Sequence, residues 1–285
     1  MSIRLRGSGN YHVEEVSLAD TRRLIGYQQA GVYGTQFNLK GFAYPWVLTS
    51  REWSGGERVL DVGAGYSELP MHIAGHLGCE TWIADDFGQS VDDPFWRRRR
   101  DPEEHTRAHP EVRFVRERLG NPVQSSLPEA YFDVVYSIST LEHVPVSLLP
   151  AVWAHMALLV RPGGEMLHAV DIPFPSGGRV APIAAAAAFD ILFPLLPGSL
   201  CERFPMQTPK AHARRALAAV GAAPSGRLKG LGIVNMILNP DVVIDPLDTT
   251  YNRIVKDGMK GGGHWRVATL LIRLKREMPT ERKRS

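Results

Sequence analysis

Cysteine is nearly absent. The 285 residues hold two, Cys79 and Cys201, far apart and in no C-x-x-C or zinc spacing. A disulfide scaffold and a cysteine-based metal module are excluded, and both thiols read as free, buried and in a reducing compartment. Charge of one sign is also missing. The 33 Lys and Arg stand against 30 Asp and Glu, a formal net charge of +3, which is not the one-sided excess of a dedicated nucleic-acid binder. The most apolar stretch, 180–200, is broken by Pro182, Asp190, Pro194 and Pro197, so no transmembrane segment is expected. Met1 to Gly9 has no apolar core of a signal peptide, and the expected location is the cytoplasm. No repeat period is visible, which excludes solenoids and propellers.

What is present is an ordinary globular composition, 44% hydrophobic and 22% charged. The length suits one large domain, or one domain with a small appendage. Glycine (27) and proline (21) are raised, which predicts long loops. Arg97 to Arg100 form a basic run followed at once by Asp101, Glu103 and Glu104, and Lys275, Arg276, Arg282, Lys283 and Arg284 form a basic tail. Both read as solvated charge or as anion-facing patches.

The pattern becomes rhythmic after residue 57. Arg58 to Val62, Thr81 to Ala84, Val112 to Val115, Phe132 to Ile138 and Glu165 to Val170 read as apolar strands. Between them, Ser67 to Leu77 and Leu148 to Val160 have helical spacing, and part of 92–110 reads as helix. Gly78 and Arg161-Pro162-Gly163-Gly164 are helix stops. Such alternation predicts right-handed βαβ units, and runs such as Val134-Val135-Tyr136 fit strands covered on both faces. Late strands over 232–238 and 265–274 complete the sheet. The expected fold is α/β, doubly wound, with a mostly parallel seven-stranded sheet and helices on both faces. An N-terminal helical segment (one or two helices over 12–31) and an inserted lid are added. The expected division is an N-terminal cap over 1–50, a ligand-binding core over 51–172, an apolar insertion and helix over 173–230, and C-terminal strands over 231–285.

The strongest local signal is Asp61-Val62-Gly63-Ala64-Gly65-Tyr66-Ser67, after a strand and before a helix. Gly63 and Gly65 permit a tight turn and close backbone approach to a ligand, and the helix behind them presents free N–H groups. An acid about 20 residues on, Asp85 or Asp86, is placed to take both hydroxyls of a ribose. A dinucleotide loop wants glycine at position 68, where Glu68 stands; its carboxylate would repel a pyrophosphate. A nucleoside with a cationic arm tolerates Asp61 and Glu68, so the charge logic favours it.

These residues carry a resemblance. Asp61-Val-Gly63-Ala-Gly65, Ile83-Ala-Asp85, Phe132-Asp133-Val-Val-Tyr-Ser137, Leu141-Glu142-His143-Val144 and Arg161-Pro-Gly163-Gly164 stand in the order of the motifs of class I S-adenosylmethionine-dependent methyltransferases. The similarity spans roughly residues 57–172. It implies S-adenosylmethionine as cofactor, with Gly63, Ala64 and Gly65 lining it, Asp61 near the amino end of its methionine arm, and Ser139 and Thr140 beside it. Asp85 then holds the ribose, with Asp86 as the alternative. Two departures stand out: Ser67 replaces the family's third glycine and can still cap the helix, and the acid that reads adenine is displaced, Glu117 being the available carboxylate.

Methyl transfer from a sulfonium is an in-line displacement that needs alignment more than acid–base help. A base is required where the acceptor is a hydroxyl. His143, after the fourth strand, is the first candidate base, the other reading being a helix cap or packing residue. His168 with Asp171 is the second, although residues three apart on a strand face opposite ways. No metal spacing is present, and no metal is expected. The Asn/Asp-Pro-Pro-Tyr motif that holds planar amines is absent, Ser137-Ile-Ser-Thr140 standing in its place.

The expected activity is methylation of a small molecule, on a hydroxyl of a secondary metabolite or a sugar or glycan precursor. Tyr27, Tyr33, Phe37 and Tyr44 either wall the acceptor pocket or pack on the sheet. The 173–206 insertion either covers the sheet or forms a lid for a lipophilic or lipid-linked acceptor. Asp245, Asp248, Tyr251 and Asn252 add polar groups between the late strands. The alternatives are an RNA or protein methyltransferase docking through the arginine run, and a nucleoside-binding protein without catalysis. Homodimerisation is left open.

Overall fold

The computed structural model describes residues 2–5, 9–14, 23, 40–87, 101–175, 236–243 and 265–278. Several expectations lie outside the described residues: the arginine run 97–100, Tyr27, Tyr33 and Phe37, the insertion beyond 175, the helix and polar loop that follow it, and Cys201.

In chain order the elements are β1 (Ser2–Leu5), β2 (Gly9–Glu14), α1 (Lys40–Thr49), β3 (Arg58–Val62), α2 (Leu69–Leu77), β4 (Glu80–Ala84), α3 (Pro102–Ala108), β5 (Val112–Val115), β6 (Phe132–Ile138), α4 (Leu149–Leu159), β7 (Val160–Pro175), β8 (Met236–Val243) and β9 (Trp265–Arg276). Short 3-10 turns occupy Pro122–Gln124, Leu141–His143 and Val146–Leu148.

One mixed sheet has the order β1-β2-β9-β7-β6-β3-β4-β5, with β8 also beside β9. From β5 through β4, β3 and β6 to β7 every pairing is parallel, and β9 returns antiparallel to β7. The described sheet has nine strands, where the sequence predicts seven. The additional two are β1 and β2. Gly9–Glu14 is a strand, which corrects the helical reading from residue 12, and the helix described between β2 and β3 is α1. The cause lies in β9. Its outer edge pairs with β8 from Arg266 to Leu270 and with β2 from Arg273 to Arg276. Without β2, the end of that long strand would present unpaired backbone groups. Tyr11 fixes the pairing by burying its ring and donating its hydroxyl to Ala157 O at 2.8 Å.

Alternation divides the core between the two faces of the sheet. Leu60, Val135, Met166 and Val170 meet Leu149, Val152, Trp153 and Met156 of α4 on one face. Val59, Val134, Leu167 and Ala169 meet Trp46 and Val47 of α1 and Leu69 and Ile73 of α2 on the other. Each fully buried side chain of this size contributes roughly 1.5–3 kcal/mol. Every residue of β6 is buried, as a central parallel strand requires. α2 stops at Gly78, whose φ of 67° is cheap only for glycine. α4 stops at Leu159, and 161–164 form an irregularity in the β6–β7 register, between the Phe132–Val160 and Val134–Glu165 pairs. Among the described residues no helix is long and apolar enough to cross a membrane.

The parallel strands all point their carboxyl ends to one edge. The glycine turn follows β3 there, the acid pair follows β4, and Ser139 to His143 follow β6. Open α/β sheets bind ligands at this edge, outside the point where strand order reverses, here between β3 and β6.

Candidate active site

The turn after β3 is built of backbone. Gly63 has φ 76° and Gly65 φ 56°, both in the region that glycine enters without cost. Gly63 N donates to Ala84 O at 2.9 Å, extending the ladder to β4, and Ser67 N donates to Ala64 O at 3.0 Å, closing the turn. A Cβ on Gly63 would come within 2.1 Å of Thr140 Cγ2 and 2.7 Å of its Oγ1. Thr140 therefore rests directly on the bare turn, its hydroxyl 3.0 Å from Gly63 O and 3.2 Å from Ile138 O.

Asp85 ties the turn to the end of β4. Its Oδ2 accepts from Gly65 N and its Oδ1 from Phe87 N, each at 2.6 Å. The carboxylate is buried. Burial raises its pKa, the two N–H donors oppose the rise, and the charge of Asp86 adds to it. Each oxygen keeps a second lone pair, so the group is pre-oriented and still able to accept. Asp86 is half-buried beside it. Phe87, at φ 50°, lies in an aromatic wall with Tyr66 (5.5 Å between ring centroids), and Tyr66 meets the buried His105 at 5.0 Å.

Asp61 is buried at the base of the turn. It sits opposite Tyr136 in the β3–β6 register. Burial and then the neighbouring Asp61 charge push the Tyr136 phenol well above its ordinary range. From α1, Tyr44 reaches the same corner and shares a 2.7 Å hydrogen bond with the Ser67 hydroxyl. Ser67 Oγ also accepts from Leu69 N at 3.3 Å; the N-cap of α2 is Glu68, which makes no side-chain capping bond, so Ser67 meets the first helical N–H from one position before the cap.

After β6, Ser139 has φ 50°, a strained value for a non-glycine residue. Its hydroxyl donates to Asp171 Oδ2. Thr269 of β9 donates to Asp171 Oδ1 at 3.0 Å, and Asp171 N donates to Glu142 Oε1 at 3.2 Å. Asp171 and Glu142 are both buried. His143, one residue on, is exposed, with its N–H donating to Thr140 O at 2.9 Å.

The structure thus brings together Asp61, Gly63, Ala64, Gly65, Asp85, Asp86, Ser139, Thr140, His143 and Asp171 at one edge. It separates His168 from them. β7 runs on to Pro175, so His168 and Asp171 face opposite ways, as residues three apart on a strand must. The His168 ring is fully buried, Nδ1 lies 2.8 Å from Ser137 Oγ, and Trp153 packs edge-on at 4.7 Å. Burial lowers its pKa to about 3. It is a core histidine, and the His168–Asp171 pair does not form. Glu117 is engaged by Ser125 and Ser126, with Ser126 N at 2.9 Å and Ser126 Oγ at 3.0 Å; its oxygens close the 117–126 loop. Tyr44, expected either to wall the acceptor pocket or to pack on the sheet, lies against the glycine turn through Ser67. Thr269 lies in no motif, and Tyr136 lies in the Phe132–Ser137 motif, whose pattern assigns its side chain no role. Among the described residues no group of three or more His, Cys, Asp or Glu is placed to hold a metal.

Residues 60–168 match the family described as a methyltransferase domain. No curated protein sequence matches. Similar solved structures include an arsenic(III) S-adenosylmethionine methyltransferase from Chlamydomonas reinhardtii, 15% identical over 89% of this chain and 74% of that one, TM-score 0.41. A phosphoethanolamine N-methyltransferase 2 from Haemonchus contortus is 11% identical over 98% and 71%, TM-score 0.37. The N-methyltransferase NodS from Bradyrhizobium japonicum is 13% identical over 52% and 71%, TM-score 0.36. Likeness this distant says nothing of the acceptor. The bare turn, open to a ligand yet ringed by carboxylates, fits a cationic nucleoside and disfavours a pyrophosphate. Residues 60–168 thus match a methyltransferase domain, which agrees with the motif order read from the sequence and with S-adenosylmethionine as the methyl donor that this order implies.

Proposed function

We propose that the chain methylates a hydroxyl of a small molecule, with His143 as the acceptor-side base. The carrying observation is one of exposure. Of the three titratable groups His143, Glu142 and Asp171 at the carboxyl ends of β6 and β7, only His143 is exposed, while the other two are buried and hydrogen-bonded. An acceptor can reach an exposed imidazole, the side chain most often used to remove a proton near neutrality.

S-adenosylmethionine supplies a methyl group on a sulfonium, already activated for displacement. This chain's residues do the rest. Gly63 to Gly65 let the backbone approach the cofactor, and Asp61 faces the ammonium of its methionine arm. Asp85, held by Gly65 N and Phe87 N, takes the ribose hydroxyls, with Asp86 beside it. Adenine is left to backbone groups, since Glu117 is committed to its serines. Ser139 and Thr140 border the space between donor and acceptor, and His143 removes the acceptor proton.

The test is transfer of a labelled methyl group to a panel of small hydroxyl and amine compounds. Label on a hydroxyl compound, lost in His143→Ala with S-adenosylhomocysteine affinity unchanged, is the expected result. Label on amines alone, or full transfer by His143→Ala, would remove the base role.

A further inference from the structure

We propose that Tyr44 is a further cofactor-positioning residue, which with Ser67 holds the carboxylate of the methionine arm and makes α1 part of the cofactor site. The inference rests on the cofactor reading above and adds a residue from outside the 60–168 domain.

The chemistry of the corner leads to it. The arm of S-adenosylmethionine is a zwitterion. Asp61 and Glu68 suit its ammonium but oppose its carboxylate, which needs neutral hydrogen-bond donors. Two hydroxyls stand there, Tyr44 Oη and Ser67 Oγ, 2.7 Å apart; their mutual bond uses one O–H, fixes the pair, and leaves the other O–H to donate to the carboxylate. Burial, and the Asp61 and Glu68 charges behind it, push the Tyr44 phenol up to about 12, so it stays a donor throughout the neutral range. Its placement is rigid. Ala43, Trp46 and Val47 of α1 are buried among Leu69 and Ile73 of α2, and Ser67 is tied to the turn by Ala64 O and to α2 by Leu69 N.

The test compares two ligands by titration calorimetry: S-adenosylhomocysteine, which carries the arm, and 5′-methylthioadenosine, which lacks it. Tyr44→Phe should weaken the first about tenfold and the second less than about twofold, as loss of one hydrogen bond to a charged group predicts. Ser67→Ala should give the same asymmetry from the other side of the pair. Equal weakening of both ligands makes Tyr44 a packing residue and overturns the proposal, as does no weakening of either. Wild-type protein that binds neither ligand rejects the cofactor reading itself, a result distinct from the other two.

Discussion

Gly65 N donates to Asp85 Oδ2 at 2.6 Å, so the ligand turn after β3 and the acid after β4 form one unit. Asp85 is thereby both clamp and acceptor. Asp85→Asn should weaken S-adenosylhomocysteine by more than tenfold, as loss of hydrogen bonds worth about 1.5–3 kcal/mol each to a charged group implies. Asp86→Asn should cost less. The pH dependence has a definite sign. Burial first, with Asp86 adding to it, raises the Asp85 pKa in the free protein, whereas hydroxyl donors of a bound ribose favour the ionised form and lower it. Binding then releases a proton in the acid range above 3.8, and affinity falls as pH drops through it. Calorimetry in buffers of different ionisation heat measures that release; none at any pH would move the ribose role off Asp85.

Gly63 and Thr140 meet more closely than any side chain at position 63 would allow. Gly63→Ala places a Cβ 2.1 Å from Thr140 Cγ2 at φ 76°. The positive φ costs about 1–2 kcal/mol and the clash about 1–3 kcal/mol. Denaturant unfolding should show a loss within that sum. The double variant Gly63→Ala/Thr140→Ala removes the contacts with Thr140 Cγ2 and Oγ1 and keeps the one with its Cβ at 3.0 Å, so it should recover most of the steric part but not the backbone part, and the two changes should be non-additive. Additive losses would mean that the contact does not constrain the turn.

Asp133 anchors the opposite, amino-terminal end of β6. It accepts from Arg58 N at 2.9 Å and pairs with the Arg58 and Arg161 side chains. Burial works to raise its pKa, but these donors outweigh burial and lower it. A depressed carboxylate stabilises the fold above its unfolded value of 3.8, and that contribution is lost as pH falls through the folded value. Both arginines are partly exposed, 34% and 41%, so the loss in Asp133→Asn should be moderate, about 1–3 kcal/mol at pH 7. The gap between variant and wild type in urea midpoints should close toward pH 3; a gap that persists there would assign the effect to packing.

The legible parts of this fold are those with local causes. The alternation of buried strands, the Gly78 stop and the Gly63–Gly65 turn each follow from a few adjacent residues, and the structure has them where the pattern puts them. Two kinds of feature were not legible. β2 is a strand because β9, more than 250 residues away, offers it an edge, and no periodicity in 9–14 records that. The partners of Asp171 come from Ser139 and Thr269, brought in by sheet order alone. His168 looked chemical by residue type, and only the length of β7 turns it into the core. Spacing also could not tell that Tyr44 would lie on the ligand turn.

His168 carries a pH signature of its own. Its ring is wholly buried, and burial depresses its pKa from 6.5 to about 3. The unfolded chain binds this proton more readily, so the contribution is fully present above the unfolded pKa and is lost as pH falls from 6.5 toward 3. The slope from this group approaches about 1.4 kcal/mol per pH unit. His168→Gln keeps a hydrogen-bonding partner for Ser137 but cannot titrate. It should lower stability at pH 7.5 through imperfect packing against Trp153, yet lose less than wild type between pH 6.5 and pH 5. Urea unfolding across that window tests it. Parallel curves for the two proteins would mean that the folded protein admits the protonated ring, contrary to an imidazole sealed between Ser137 and Trp153.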